Sequence, residues 1–254
     1  MSSKTVYLIT GATRGIGLRL TETIAARPDT LVFAAARDPA AQSLKDLVAS
    51  HPNVHPVKWV AADKESNDAV IAEIEKTAGQ LDVVIANAGI SNFHGKLVDT
   101  SISQFRDHWE VNTLGVVVLF QAAHKLLLAS PTGTPIFALI TTGLASTSNY
   151  FNGTVSAYGS SEAAANFIIK AIDAENPNIV AMAIHPGWVA TDMGNGGARA
   201  FGMEQAPVAV GDSVKGILNR IDGATREKSS GKFFNYARSS GSNPWDIDAD
   251  ELAW

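Results

Sequence analysis

The stretch "SAYGSSEAAANF", residues 156–167, sets a phenol and a carboxylate four positions apart, Tyr158 and Glu162. The stretch reads as a helix, and residues i and i+4 of a helix share a face, so the two side chains meet. A phenol ordinarily titrates near 10, too high for ready proton exchange at neutral pH. An ionised carboxylate beside it repels the phenolate and raises that value further. An enclosed carboxyl group can also have its own pKa lifted toward neutrality, which suits it to proton shuttling. As an acid/base pair, Tyr158 and Glu162 would serve a non-redox step such as isomerisation, dehydration or cyclisation. What they act on depends on what the rest of the chain brings to them.

A second group of residues suits a phosphate. "TGATRGIG" (10–17) spaces Gly11, Gly15 and Gly17 as Gly-x3-Gly-x-Gly after an apolar run and at the start of a helical one. Glycine permits the tight turn and close backbone approach, and the helix N-terminus offers unpaired N–H groups and a positive dipole end. Thr13, Arg14 and Ile16 ride on the same loop. The Gly-Lys-Ser/Thr of a nucleoside triphosphatase loop is missing, which argues against that activity. At the end of the second apolar run, an NAD-binding fold carries an Asp or Glu for the ribose 2′-hydroxyl. "FAAARDP" (33–39) has Ala36 there, followed by Arg37. With Arg14, two guanidinium groups face a place without a carboxylate, which suits a 2′-phosphate. The expected dinucleotide is NADP(H).

These residues need elements to hold them. Apolar runs of strand length fall at 5–10, 30–36, 54–62, 81–89, 134–142, 178–187 and 231–237, separated by helical stretches at 15–26, 40–50, 65–78, 101–129, 157–173 and 207–222. Most strand candidates are apolar throughout, as a parallel sheet covered on both sides requires. Alternation with right-handed crossovers implies an α/β fold, a Rossmann-like doubly wound parallel sheet with helices on both faces. At 254 residues and 46% hydrophobic, the chain is read as a single domain over 1–254. A formal charge of −5 leaves no basic footprint for nucleic acid or an anionic membrane. No cysteine is present, which excludes disulfides and thiolate metal sites. "MSSKTVYLITGATRG" has no charged region followed by a long apolar one, and no apolar run approaches a membrane span. A cytoplasmic protein with a small-molecule substrate is the expectation. His51 and His55 lie in the proline-broken "HPNVHP", and Asp246, Asp248 and Asp250 lack the glycine and glutamate of a calcium loop, so no metal site is assigned. The tail "WDIDADELAW" reads as an appendage of unassigned fold.

Taken together, these motifs resemble the short-chain dehydrogenase/reductase family along nearly the whole chain. "TGATRGIG" resembles its cofactor loop, Asp63 in "AADKES" its adenine-contacting acid, and "NAG" (Asn87, Ala88, Gly89) the motif closing its fourth strand. Asn112 in "EVNTLG" resembles the helix asparagine of its catalytic tetrad. "HPGWVATDMG" (185–194) resembles the segment passing the nicotinamide, with Pro186, Gly187 and Val189 along it and Thr191 set to contact the carboxamide. "TVYLITGA", "LDVVIANAGIS" and "GKFFNY" are similar to the fungal norsolorinic acid ketoreductase branch, which implies the ketone or imine of an aromatic polyketide or alkaloid.

The resemblance implies hydride transfer to a carbonyl, with Tyr158 as acid, Asn112 holding a water of the proton relay and a hydroxyl polarising the carbonyl. In "ALITTGLAS" that hydroxyl belongs to Thr142, or to Thr141 if the alignment slips by one. The family's lysine, which lowers the tyrosine pKa and binds the nicotinamide ribose, is replaced here by Glu162. Glu162 keeps hydrogen-bond acceptors for the ribose but should hold Tyr158 up and weaken turnover. The intact surroundings read as an introduced or recent substitution, since lysine to glutamate needs one base change. Phe93, His94, Tyr150, Phe151 and Trp188 follow strand ends and form the expected aromatic substrate wall. The glycine-rich 193–207 reads as a mobile lid. The family also implies a homodimer or homotetramer, with 101–129 and the helix from 157 at the interface.

Overall fold

The computed structural model describes residues 4–150, 154–237 and 249–254. Seven strands, β1 (Thr5–Thr10), β2 (Thr30–Ala36), β3 (Val54–Lys58), β4 (Val83–Ala86), β5 (Ile136–Ile140), β6 (Val180–His185) and β7 (Lys232–Asn235), form one sheet. Its order is β3-β2-β1-β4-β5-β6-β7, and neighbouring strands run parallel throughout. This is the Rossmann-like doubly wound sheet expected from the alternation of apolar runs. The strand order reverses between β1 and β4, which opens the crevice at the carboxyl ends of the strands where such sheets take ligands.

Both sheet faces are apolar, so each strand buries alternate residues on opposite sides. One face joins Leu8, Phe33, Val84, Leu139 and Phe233 to Ile74 of α3 (Lys64–Ala78), Leu119 of α5 (Gly115–Leu128) and Ile169 of α6 (Ser156–Glu175). The other joins Ile9, Val32, Ile85 and Ile184 to Leu20 of α1 (Gly15–Ala25), Leu44 of α2 (Gln42–Ser50) and Ile217 of α8 (Val210–Asp222). α4 (Ile102–His108) runs into α5 through a π-helical turn at Trp109–Leu114. π turns inside helices recur at functional sites, and this one carries Asn112. The stretch Ile102–Leu128 is long enough to cross a membrane and contains an 18-residue window of mean hydropathy 1.5. A search for uninterrupted apolar runs passes over it because Gln121 and His124 break the run. Here one side of it packs in the core through Val116, Leu119, Ala123, Leu126 and Leu127.

Two further helices, α7 (Asp192–Ala200) and α9 (Arg226–Ser229), complete the set among the described residues. α7 makes the first half of the glycine-rich stretch 193–207 regular helix. The Thr191 hydroxyl caps it by accepting from the Gly194 N–H at 3.1 Å. A Cβ on Gly194 would lie 1.9 Å from the Val189 carbonyl oxygen, so glycine there marks close backbone approach rather than a loose loop.

Candidate active site

Tyr158 opens the first turn of α6, and Glu162 follows one turn later on the same face. The Glu162 side chain turns inward, 5% exposed. Its Oε1 lies 3.7 Å from where a Cβ on Gly89 would stand, beside Asn112 Oδ1 at 3.4 Å from the same point. Burial raises its pKa from 4.5 to about 8, and the facing Thr141 hydroxyl draws it partly back. Thr141 Oγ1 has no partner in hydrogen-bonding geometry, so desolvation dominates. The negative charge expected at this position is therefore largely neutralised at pH 7. Tyr158 is pushed well above 10, first by burial, then by Glu162, against a hydrogen bond with Thr142 that lowers it. The repulsion expected from Glu162 is secondary to desolvation and comes into force only as the carboxyl ionises near pH 8. Tyr158 nonetheless keeps part of its surface on a cavity.

Thr142, not Thr141, is the hydroxyl that lowers the phenol pKa. It also accepts from the Leu144 N–H at 3.2 Å, which fixes its rotamer. The Asn112 amide donates to the Ile90 carbonyl and the Ser161 hydroxyl, each at 3.0 Å, and its Oδ1 accepts from the Ile90 N–H at 2.8 Å. The side chain pins the segment after β4 to α6.

The dinucleotide track is continuous. A Cβ on Gly17 would lie 2.3 Å from the Gly11 carbonyl oxygen, and one on Gly15 would lie 3.1 Å from Thr191 Cγ2. The loop thus forms a cradle that side chains would fill, which fits a pyrophosphate. Asn87 donates to the Thr10 carbonyl at 2.9 Å, and Thr10 Oγ1 accepts from the backbone N–H groups of Asn87 and Ala88, tying the end of β4 to the loop. Thr13 accepts from Ser43 Oγ at 2.7 Å, which brings the start of α2 beside the loop. Arg37 is exposed, and Arg14, also exposed, stands 3.5 Å from Asp192. Ala36 is buried and leaves no carboxylate at the end of β2, so this rim fits a 2′-phosphate. Asp63 caps α3 by accepting from the Ser66 N–H, an engagement sequence reading did not anticipate.

A cavity of about 490 Å³ is lined by Ile16 of the glycine loop, by Pro186, Gly187, Val189 and Thr191, and by the catalytic candidates Thr141, Thr142 and Tyr158. Of the expected aromatic wall, His94 and Trp188 line it, close together across Gly197 of α7. Phe93 and Tyr150 do not. The Phe93 ring folds over Gly95, and Tyr150 is 75% exposed. Phe151 lies outside the described residues. Leu144, Met193, Phe201 and Leu252 supply apolar wall in their place.

His185 also lines the cavity, and sequence reading passed over it. Burial lowers its pKa to about 4, so it is neutral, and its Nδ1 has no hydrogen-bond partner among the described residues. Strand register explains its position. Leu139, Ala183 and Phe233 are paired across β5, β6 and β7 and face α6. Two residues on, alternation brings Thr141, His185 and Asn235 to the same face. Glu162 of α6 faces this layer at Thr141. Asn166 is 3% exposed, and neither of its side-chain atoms has a partner among the described residues. The signal for it was the break from apolar to polar at the end of three strands.

Comparison with known proteins agrees with this arrangement. A family model for short chain dehydrogenase matches residues 5–199. The norsolorinic acid ketoreductase of Dothistroma septosporum is 36% identical over 240 residues, covering 91% of this chain and 90% of that protein. The carbonyl reductase Sniffer of D. melanogaster superposes with a TM-score of 0.85 at 25% identity, covering 99% of this chain and 100% of its own. An NADPH-bound carbonyl reductase from chicken fatty liver does so at 0.83 and 26%, with full coverage of both chains. With the glycine cradle, the Tyr158–Thr142 pair and the seven-stranded sheet already in place, the family match over most of its length makes this chain a member of the short chain dehydrogenase family of oxidoreductases, similar within it to the fungal norsolorinic acid ketoreductases.

Proposed function

We propose that the protein is an NADP(H)-dependent carbonyl reductase for the ketone or imine of a secondary metabolite, an aromatic polyketide or alkaloid, with its rate held down by Glu162. The observation that carries this reading is the shared cavity, which Tyr158 and Thr142 line together with Pro186, Gly187, Val189 and Thr191 and with Ile16 of the glycine loop. NADPH, when bound, supplies hydride to the carbonyl carbon. Thr142 donates a hydrogen bond to the carbonyl oxygen, and Tyr158 gives that oxygen its proton as the carbon is reduced. Arg14 and Arg37 would hold the 2′-phosphate. The NADPH-bound carbonyl reductase of similar fold supports this cofactor, and the ketoreductase relative supports an aromatic substrate.

Glu162 stands where an ammonium would stabilise the phenolate, and a phenol well above 10 is a poorly matched acid at neutral pH. The retention of Tyr158 and Asn112 around it supports a recent or introduced change. Glu162→Lys should raise NADPH consumption on aromatic ketones about 10²–10⁴-fold, the usual contribution of a positioned acid. An unchanged rate would overturn the reading.

A second reading is favoured by the carboxyl pKa of about 8. A group poised near neutrality suits a non-redox isomerisation, dehydration or cyclisation shared with Tyr158, the dinucleotide serving as a platform. Product formed without change in NADPH absorbance would establish it. The exposed apolar side chains Ile102, Trp109 and Leu114, with Phe167 of α6, support a homodimer or homotetramer through these helices.

A further inference from the structure

We infer that residues 249–254 form a strap that completes the substrate end of the cavity and sets how large a ring system it admits, through Leu252. The inference rests on the reductase reading and names its specificity element. The strap adds to the outer edge of β7, the last strand of the sheet. The Leu252 N–H donates to the Phe233 carbonyl at 2.7 Å, and the Asn235 N–H donates to the Asp250 carbonyl at 3.0 Å. Phe234 and Glu251 form an antiparallel bridge between them. Ion pairs flank the pairing, Arg220 with Asp250 at 2.9 Å and Lys232 with Glu251 at 3.1 Å. Half-exposed pairs of this kind contribute little stability, but both agree with the same register. A slip by one residue would turn Leu252 outward.

In this register Leu252 is 4% exposed, belongs to the core on the α6 face, and lines the cavity. Trp254 fixes the far end. Its ring packs on Phe233 with centroids 5.5 Å apart, with Lys170 Nζ 5.4 Å from the Trp254 ring centroid. Its backbone carbonyl accepts from the Ser148 hydroxyl at 2.9 Å, and from the Ser148 N–H and the Thr147 hydroxyl at 3.3 Å each. Ser146 and Asn149, on either side of those donors, line the cavity. One short segment therefore supplies an apolar wall and also anchors the rim loop beside it to the sheet edge. A flat aromatic ketone lying along Leu144 and Trp188 would share that wall with Leu252, so this side chain limits the ring count.

The test reads the strap with and without turnover. Trp254→Ala should speed amide hydrogen exchange at residues 144–149 roughly tenfold by opening the anchored state, and unchanged exchange there overturns the strap as anchor. The pair Thr147→Val with Ser148→Ala, which leaves the Trp254 packing in place, should do the same if Trp254→Ala fails to fold. Leu252→Ala should shift the KM ratio of acetophenone to 2-acetonaphthone roughly tenfold in favour of the two-ring ketone, with the NADPH Kd unchanged. Adding Trp254→Ala to Leu252→Ala should move that ratio by less than twofold, because both act through one wall. Fully additive shifts, or no shift with Leu252→Ala, overturn the specificity role. If neither ketone consumes NADPH in any variant, Glu162→Lys included, the reductase reading fails, while the exchange rates still decide the anchor.

Discussion

Replacing Glu162 by glutamine isolates the effect of its burial. Glutamine keeps the shape of the side chain and remains neutral at every pH. In the native chain the carboxyl pKa is about 8 against 4.5 when unstrained by the fold, a difference equivalent to about 5 kcal/mol at about 1.4 kcal/mol per unit. Because the folded state holds its proton more tightly than the unfolded one, the stability attached to Glu162 is complete below pH 4.5 and is lost as pH rises through 8. His185 runs the other way. Its folded pKa of about 4 lies below its ordinary 6.5, so its contribution is complete above 6.5 and is lost as pH falls through 4. The two slopes oppose each other between about pH 4.5 and 6.5, which would flatten the native profile there, and only the loss from Glu162 continues to pH 8. The difference between native and Glu162→Gln proteins removes the histidine. In urea denaturation at pH 5, 6, 7 and 8, the variant should gain about 1 kcal/mol per pH unit over the native chain, and about 4 kcal/mol in all as an upper bound. Parallel profiles would mean that Glu162 is ionised throughout this range, and the account of a neutral carboxyl beside Tyr158 would be wrong.

Other expectations concern function directly. Tyr158→Phe in the Glu162→Lys background should lower ketone turnover about 10²–10⁴-fold while leaving the NADPH Kd within twofold, measured by fluorescence titration. Arg14→Ala with Arg37→Ala should weaken NADPH binding by about tenfold or more, and NADH binding little, since only the former carries a phosphate for the guanidinium groups. Phe167→Asp, at an exposed apolar position on α6 (72% exposed), should move the protein toward monomer in light scattering if α6 forms a subunit interface.

The sheet was legible because its strands are buried on both faces, so "TLVFAAA" or "NIVAMAIHPG" reads as a strand without knowledge of its neighbours. The cradle was legible for a similar reason, since glycine at Gly17 answers a local backbone contact. What sequence misjudged depended on distant partners. The glycines of 193–207 suggested a loop by composition, yet the Thr191 cap and the Val189 carbonyl make a helix of it. The acidic tail looked unattached because its partners, Phe233, Arg220 and Ser148, lie far away along the chain.

Glu162 is the most instructive case. Sequence placed it correctly on the face of Tyr158, but the charge assigned to it was that of a carboxylate in water. Its charge depends on enclosure by Gly89, Thr141 and the polar layer at the ends of β5, β6 and β7, and none of these is within reach of an i, i+4 argument. Among the described residues, the ring nitrogen Nδ1 of His185 and the amide of Asn166 have no hydrogen-bond partner, where buried polar groups ordinarily have one. Glu162 and His185 are both largely neutral at pH 7. A lysine at 162 would place an ammonium in this enclosure. The lysine variant therefore tests more than proton supply. If Glu162→Lys restores turnover, the layer must tolerate a cation that burial works against, and the lysine must be held charged by the phenolate or the cofactor rather than by the protein interior.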